Sequence, residues 1–182
     1  MIYILLNEPD PYVAYVVFHY NDLIFLKQRA SRNLANIDVA MQKRYDLVPN
    51  LQKTVKRYLG HESKLLEALT AIRTQGHASS NQLSKMSSQV ESGQQVLSQI
   101  IALSEDYPDF KAQKLNVKLM NKLVDLENEI ALMREGYNDA VNYFNTRIAS
   151  VPDVFFARML NFKTLQLFVC KDKKFFRIEV DY

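Results

Sequence analysis

Proline is scarce in this chain, and its placing limits the fold more than any other feature. Proline lacks a backbone N–H and its ring clashes with the carbonyl four residues back, so it marks where helices start or stop. Pro9 and Pro11 stand near the amino terminus, and only Pro49, Pro108 and Pro152 follow. With just four glycines as well, few break points remain and long helices are implied.

Hydrophobic spacing fills the intervals. After Pro11, which suits a first-turn position, Val16, Tyr20, Leu23, Ala30, Leu34, Ile37, Met41 and Tyr45 recur in steps that share one helix face. Pro49 then predicts a corner at Asp46-Leu47-Val48-Pro49, with Asp46 capping the next helix. That second helix carries Leu51, Val55, Tyr58, Glu62, Leu65, Leu69 and Ile72, and fades in a loop over 74–80. A third helix carries Leu83, Met86, Val90, Gly93, Leu97 and Ile100. Its serines and Gly93 make it the least stable by propensity. It stops at Asp106-Tyr107-Pro108-Asp109. The fourth holds the cleanest repeat, Leu119, Leu123, Leu126, Ile130, Met133, Tyr137, Ala140, Phe144 and Ile148, and ends before Pro152.

Beyond Pro152 the period changes. Leu165, Leu167 and Val169 alternate with Gln166 and Phe168, and Ile178 and Val180 flank Glu179 across Lys171-Asp-Lys-Lys174. A hairpin or an extended tail is predicted. The fold class is all-α: an antiparallel four-helix bundle of long helices with a short extended or β-hairpin tail. The divisions are an amino-terminal segment 1–11, a bundle 12–152 and a tail 153–182.

Composition narrows the function classes. With 48% apolar residues a core forms without cross-links, and Cys170 stands alone, so no internal disulfide exists. A net charge of +3 is too weak to argue for nucleic acid. The first 26 residues are rich in apolar side chains, but Asn7-Glu8-Pro9-Asp10-Pro11 divides them. A spanning helix needs about 20 mostly apolar residues in one run. The start reads as a short strand, a turn and then the first helix, and not as a signal peptide.

Several strings occur in an order that resembles the LemA family. They are Tyr20-Asn-Asp-Leu23, Ile37-Asp38, Lys43-Arg-Tyr-Asp-Leu-Val-Pro-Asn50, Thr54-Val-Lys56, His61-Glu62, Tyr107-Pro-Asp-Phe-Lys-Ala112, Glu127-Asn128, Arg134 and Tyr137-Asn-Asp-Ala140. The resemblance covers about Tyr20 to Phe162. It implies an antiparallel helical bundle behind one amino-terminal membrane helix, with the bundle on the cytoplasmic face of the cell membrane. It implies no biochemical activity, because the family has no established one. This chain departs from the pattern where the membrane helix belongs, and in its extended tail. Lys27, Arg29 and Arg32 fit the cytoplasmic side of a membrane.

Each candidate site carries a plainer reading beside the functional one. His61-Glu62 lacks the second histidine of a zinc protease, since position 65 is Leu65. His61, His19 and His77 read as surface residues, and Cys170 as a small core residue. Lys53, Lys56, Arg57 and Lys64 share a helix sector, a basic face for phosphate or simply a solvated face. Asp38, Glu62, Arg134 and Asn138 lie near the seams and are predicted to form a buried polar network that sets helix register. Tyr45, Tyr58, Tyr107, Tyr137 and Tyr143 are candidates for an interaction surface, with core packing as the alternative.

The leading expectation is a membrane-proximal binding or scaffolding module with no catalytic site, cofactor or metal. Its partner is an unidentified protein, with a membrane surface as a further partner and no nucleic acid. A fully soluble cytoplasmic interaction protein comes second. An enzyme with an unrecognised carboxylate site comes third.

Overall fold

A computed structural model describes residues 10–58, 66–67, 69–70 and 83–170. Helix α1 spans Pro11–Tyr58, α2 Leu83–Glu105, α3 Pro108–Ala112, α4 Lys114–Ala149 and α5 Asp153–Met159. Residues 66, 67, 69 and 70 are also helical. No strand occurs among the described residues. The all-helical class therefore stands, and α2 and α4 lie where the apolar repeat put them.

The predicted corner before Pro49 does not form. Pro49 sits inside α1, which continues to Tyr58, so the first predicted helix and the start of the second are one element. Asp46 does not cap; it accepts a side-chain bond from Gln42 Nε2 at 3.2 Å, one turn back. An interior proline costs about 3 kcal/mol. Val48, Leu51 and Val55 are all buried in one core cluster, and each contributes about 1.5–3 kcal/mol by leaving water. Packing on both sides of the proline outweighs its local cost.

The tail also differs. Residues 153–159, expected to be extended, form α5, which starts directly after Pro152. Asp153 and Ala157, one turn apart, face inward, and that burial gives the short helix its reason to form. Residues 162–170 follow without helix or ladder. The second limb of the predicted hairpin, like the expected strand at the amino terminus, lies outside the described residues.

The chain divides into two compact units, Met1–Leu34 with Glu135–Leu167, and Ala35–Arg134 with Phe168–Tyr182. In the first, α1 and α4 run antiparallel, as the pairs Asn33 with Gly136 and Asp22 with Arg147 require. Leu23, Leu26, Phe144, Ile148 and Ala157 form its core, with Phe162 and Leu165 packed against it. The segment after α5 is clipped to α4 by side chains. Asn145 Nδ2 donates to the Leu165 carbonyl and Asn145 Oδ1 accepts from the Leu165 N–H, both at 2.9 Å. Tyr137 Oη donates to the Gln166 carbonyl at 2.8 Å.

In the second unit Val48, Leu51, Val55, Leu69, Val96, Leu97, Ile100, Phe110, Met120 and Leu123 form one core. α2 turns Met86, Val90, Gly93, Leu97 and Ile100 inward, and Ser84, Ser88, Gln95, Ser98 and Gln99 outward, while Ser104 in its last turn is buried. It stops before Pro108, as predicted, and Pro108 opens α3.

Candidate functional site

Among its described residues the second unit holds one buried ion pair. Arg44 projects from α1 and its Nη1 donates to Glu127 Oε1 on α4 at 2.8 Å, with side-chain exposures of 4% and 11%. Arg44 Nη2 donates to the Gln89 carbonyl of α2 at 2.9 Å. Three helices thus meet on one guanidinium. Gly93, also on α2, makes room for it: a Cβ there would lie 2.2 Å from Arg44 Nη1. The guanidinium lies 5.5 Å from the centre of the Tyr45 ring, within cation–π range. Burial pushes the Tyr45 phenol above its usual range, with the Arg44 charge opposing. Arg44 Nε, Tyr45 Oη and Glu127 Oε2 are buried without a hydrogen-bond partner. Arginine stays charged under all ordinary conditions. A pair so enclosed ties α1, α2 and α4 together at one point.

The first unit holds a second polar cluster. Asp153, the first residue of α5, is buried at 3% exposure. Its Oδ1 faces His19 Nδ1 of α1, and its Oδ2 lies 2.8 Å from Arg147 Nε of α4. Arg147 Nη2 donates to Asp22 Oδ2 at 2.7 Å. His19 is half-buried, against the prediction of a solvent-facing ring. The Tyr15 ring lies 4.2 Å away and the Phe156 ring stacks at 6.0 Å. The missed signal is the step from Val16 through His19 to Leu23, which follows the apolar face better than Tyr20 does.

Around this cluster the surface is apolar. Val13, Tyr15, Val17, Phe18, Tyr20 and Phe25 of α1 are exposed, as are Val151, Phe155, Met159 and Leu160 in and beside α5. Burial also raises the Tyr137 phenol, whose hydroxyl is spent on the tail.

Of the predicted register network, Asp38 is exposed and Asn138 half-buried. Arg134 is half-buried, its guanidinium 5.5 Å from the centre of the Phe168 ring and its Nε without a partner. Glu62 lies outside the described residues. The enclosed pair is Arg44 with Glu127 instead. Among the aromatic candidates, Tyr45 and Tyr107 are half-buried against the core and Tyr137 is buried, while Tyr143 is 58% exposed. For Tyr58 the described geometry stops at the backbone. Lys53, Lys56 and Arg57 are exposed at the end of α1, where cations favour the carboxyl-terminal dipole. Lys64 lies outside the described residues. Cys170 is half-buried, and no group of metal-binding side chains occurs among the described residues.

A family model described as the LemA family matches residues 33–182. The chain belongs to the LemA family. The match reaches the carboxyl terminus, so the tail that the resemblance set apart is part of the family region, while Tyr20-Asn-Asp-Leu23 lies ahead of it. Similar curated relatives are Magnetosome protein MamQ 2 and Magnetosome protein MamQ 1 of Paramagnetospirillum magneticum, each 22% identical over 86% of this LemA chain and 67% of the relative. Magnetosome protein MamQ of Magnetospirillum gryphiswaldense is 21% identical over the same shares. Arg44 and Glu127 both fall within the family match, inside strings that carried the resemblance.

Proposed function

We propose that this LemA-family chain is a non-catalytic binding or scaffolding module at the cytoplasmic face of the cell membrane. One observation carries the reading: the first unit exposes Val13, Val17, Phe18 and Phe25 along a helix whose next turns expose Lys27, Arg29 and Arg32. Large contiguous apolar surface on a folded module marks an interaction site, and cations beside it suit an anionic membrane face. No helix among the described residues is long and apolar enough to cross a membrane, so this surface is proposed to lie against the bilayer. The architecture that goes with the reading is an antiparallel helical bundle built on the long α1 and α4, with α5 and an extended segment after them.

Arg44 with Glu127 supports a holding role, since both groups are spent on helix register. The relatives' description as magnetosome proteins names a structure and not a reaction, in keeping with scaffolding. The partner is a protein, with Tyr143 as the exposed member of the aromatic set and Lys53, Lys56 and Arg57 as an accessory basic face. Fractionation of cells producing the full chain tests this. The chain is expected in the membrane pellet. A monomer that stays in the supernatant without detergent would overturn the proposal in favour of a soluble interaction protein.

A further inference from the structure

We propose that α5 is a wedge that seats in an anionic phospholipid surface, with Val151, Phe155 and Met159 entering the acyl boundary and Arg158 and Lys163 meeting phosphate. The inference rests on the membrane-face reading and names the ligand of that face. Phe155 and Met159, one turn apart on the same face of α5, are 66% and 69% exposed, and Val151, in the turn just ahead of the helix, is 76% exposed. The opposite face, Asp153 and Ala157, is buried in the unit. A short helix on a water-facing surface ordinarily turns its polar side outward. This one is apolar on its outer stripe and held from within by an ion cluster.

Charge selects the occupant. From Val141 to Leu167 the only carboxylate is Asp153, which is buried and committed to His19 and Arg147. The same stretch exposes Arg158, beside Met159, and Lys163. No acid there remains to repel a negative headgroup. Cations at the margin of an apolar-aromatic stripe are how interfacial helices bind anionic bilayers. The inner side of α5 packs on the start of α1, where Tyr15 lies 6.1 Å from Phe156 and His19 faces Asp153, so the outer stripe is held on a fixed support.

The chain contains no tryptophan, so Phe155→Trp in the full chain gives a single fluorescent reporter on an exposed position. The probe is vesicles of phosphatidylcholine with or without phosphatidylglycerol, some with brominated acyl chains. Emission is expected to move to shorter wavelength and to be quenched by bromine only when phosphatidylglycerol is present, and to revert at high salt. Met159→Trp is expected to behave alike. Leu132→Trp, exposed on α4 in the other unit, is expected to keep the emission of water. Phe155→Ser with Met159→Ser is expected to weaken vesicle binding by about tenfold or more.

Vesicle binding with unshifted emission at both reporters would overturn the wedge and leave the membrane-face module standing. Equal binding to neutral vesicles would overturn the anionic ligand. Retention in cell membranes without binding to vesicles would point to a protein receptor and overturn the wedge alone. Failure of both would remove the wedge and the membrane reading together.

Discussion

Gly93→Ala puts the buried ion pair to its sharpest test, because the sign of the effect is diagnostic. In an open helix interior, alanine in place of glycine stabilises by about 1 kcal/mol. Here the new methyl would stand 2.2 Å from Arg44 Nη1, where an ordinary contact begins at 3.4 Å. The guanidinium must retreat by the difference, 3.4 − 2.2 = 1.2 Å. A retreat from α2 stretches the 2.9 Å bond to the Gln89 carbonyl on that helix and disturbs the pair with Glu127. A hydrogen bond to a charged group contributes about 1.5–3 kcal/mol, and a buried charge left alone costs about 3–5 kcal/mol. Net of the gain in propensity, Gly93→Ala should destabilise by about 0.5–2 kcal/mol, and by up to about 4 kcal/mol if Glu127 loses its partner entirely. Urea unfolding followed by circular dichroism at constant slope reads the change. The companion measurement repeats it in an Arg44→Met, Glu127→Leu background. There the clash is gone, and Gly93→Ala should be neutral or stabilising. A Gly93→Ala protein as stable as the parent, or an equal loss in both backgrounds, would refute the proposal that Arg44 is seated on that glycine.

Three further outcomes follow from the same geometry. Pro49→Ala restores an interior helical N–H and should stabilise α1, by at most about 3 kcal/mol; a drop in Tm would show that the ring itself packs the core. Asp153→Asn removes the buried charge between His19 and Arg147 while Asp22 still holds Arg147. It should destabilise by about 1–3 kcal/mol and speed hydrogen exchange over residues 153–159 well beyond that in α2; uniform exchange would count against a local latch. Burial raises the Tyr45 and Tyr137 phenols. Above the unfolded value of about 10 the folded state keeps protons that the unfolded state has released, so stability is complete below that pH and declines as pH rises through the folded values. Tyr137→Phe should flatten the decline, which unfolding curves from pH 8 upward would record; a slope unchanged by the substitution would refute it.

Where the apolar repeat was regular, the sequence carried the fold. Every seam position of the fourth predicted helix, Leu119 through Ile148, is buried or half-buried in α4. The repeat fails at Pro49 because local propensity cannot weigh Val48, Leu51 and Val55 packing on either side of it. It is mute on α5, since seven residues are too few for a period and only burial against the first unit makes them helical. The polar register was the least legible. A helical wheel puts Asp38 and Arg134 near a seam, but not which helix faces them or at what height. Gly93 was the available clue, a glycine on the inward face of a helix otherwise lined by large side chains, which implies a bulky group opposite. Which helix supplies that group is decided by tertiary packing, which no local pattern encodes.

Asn145 offers a last consequence. One carboxamide takes both main-chain groups of Leu165, doing for a lone segment what a neighbouring strand does in a sheet. Replacing it with aspartate would keep the accepting half of this clasp and turn the donating half into a repulsion between two oxygens. Sliding the segment by a single residue would turn the opposite side chains toward the helix. Asn145, seconded by Tyr137 on the Gln166 carbonyl, thus fixes where the returning segment meets α4, and chemical ageing of the Asn145 amide would loosen that leash.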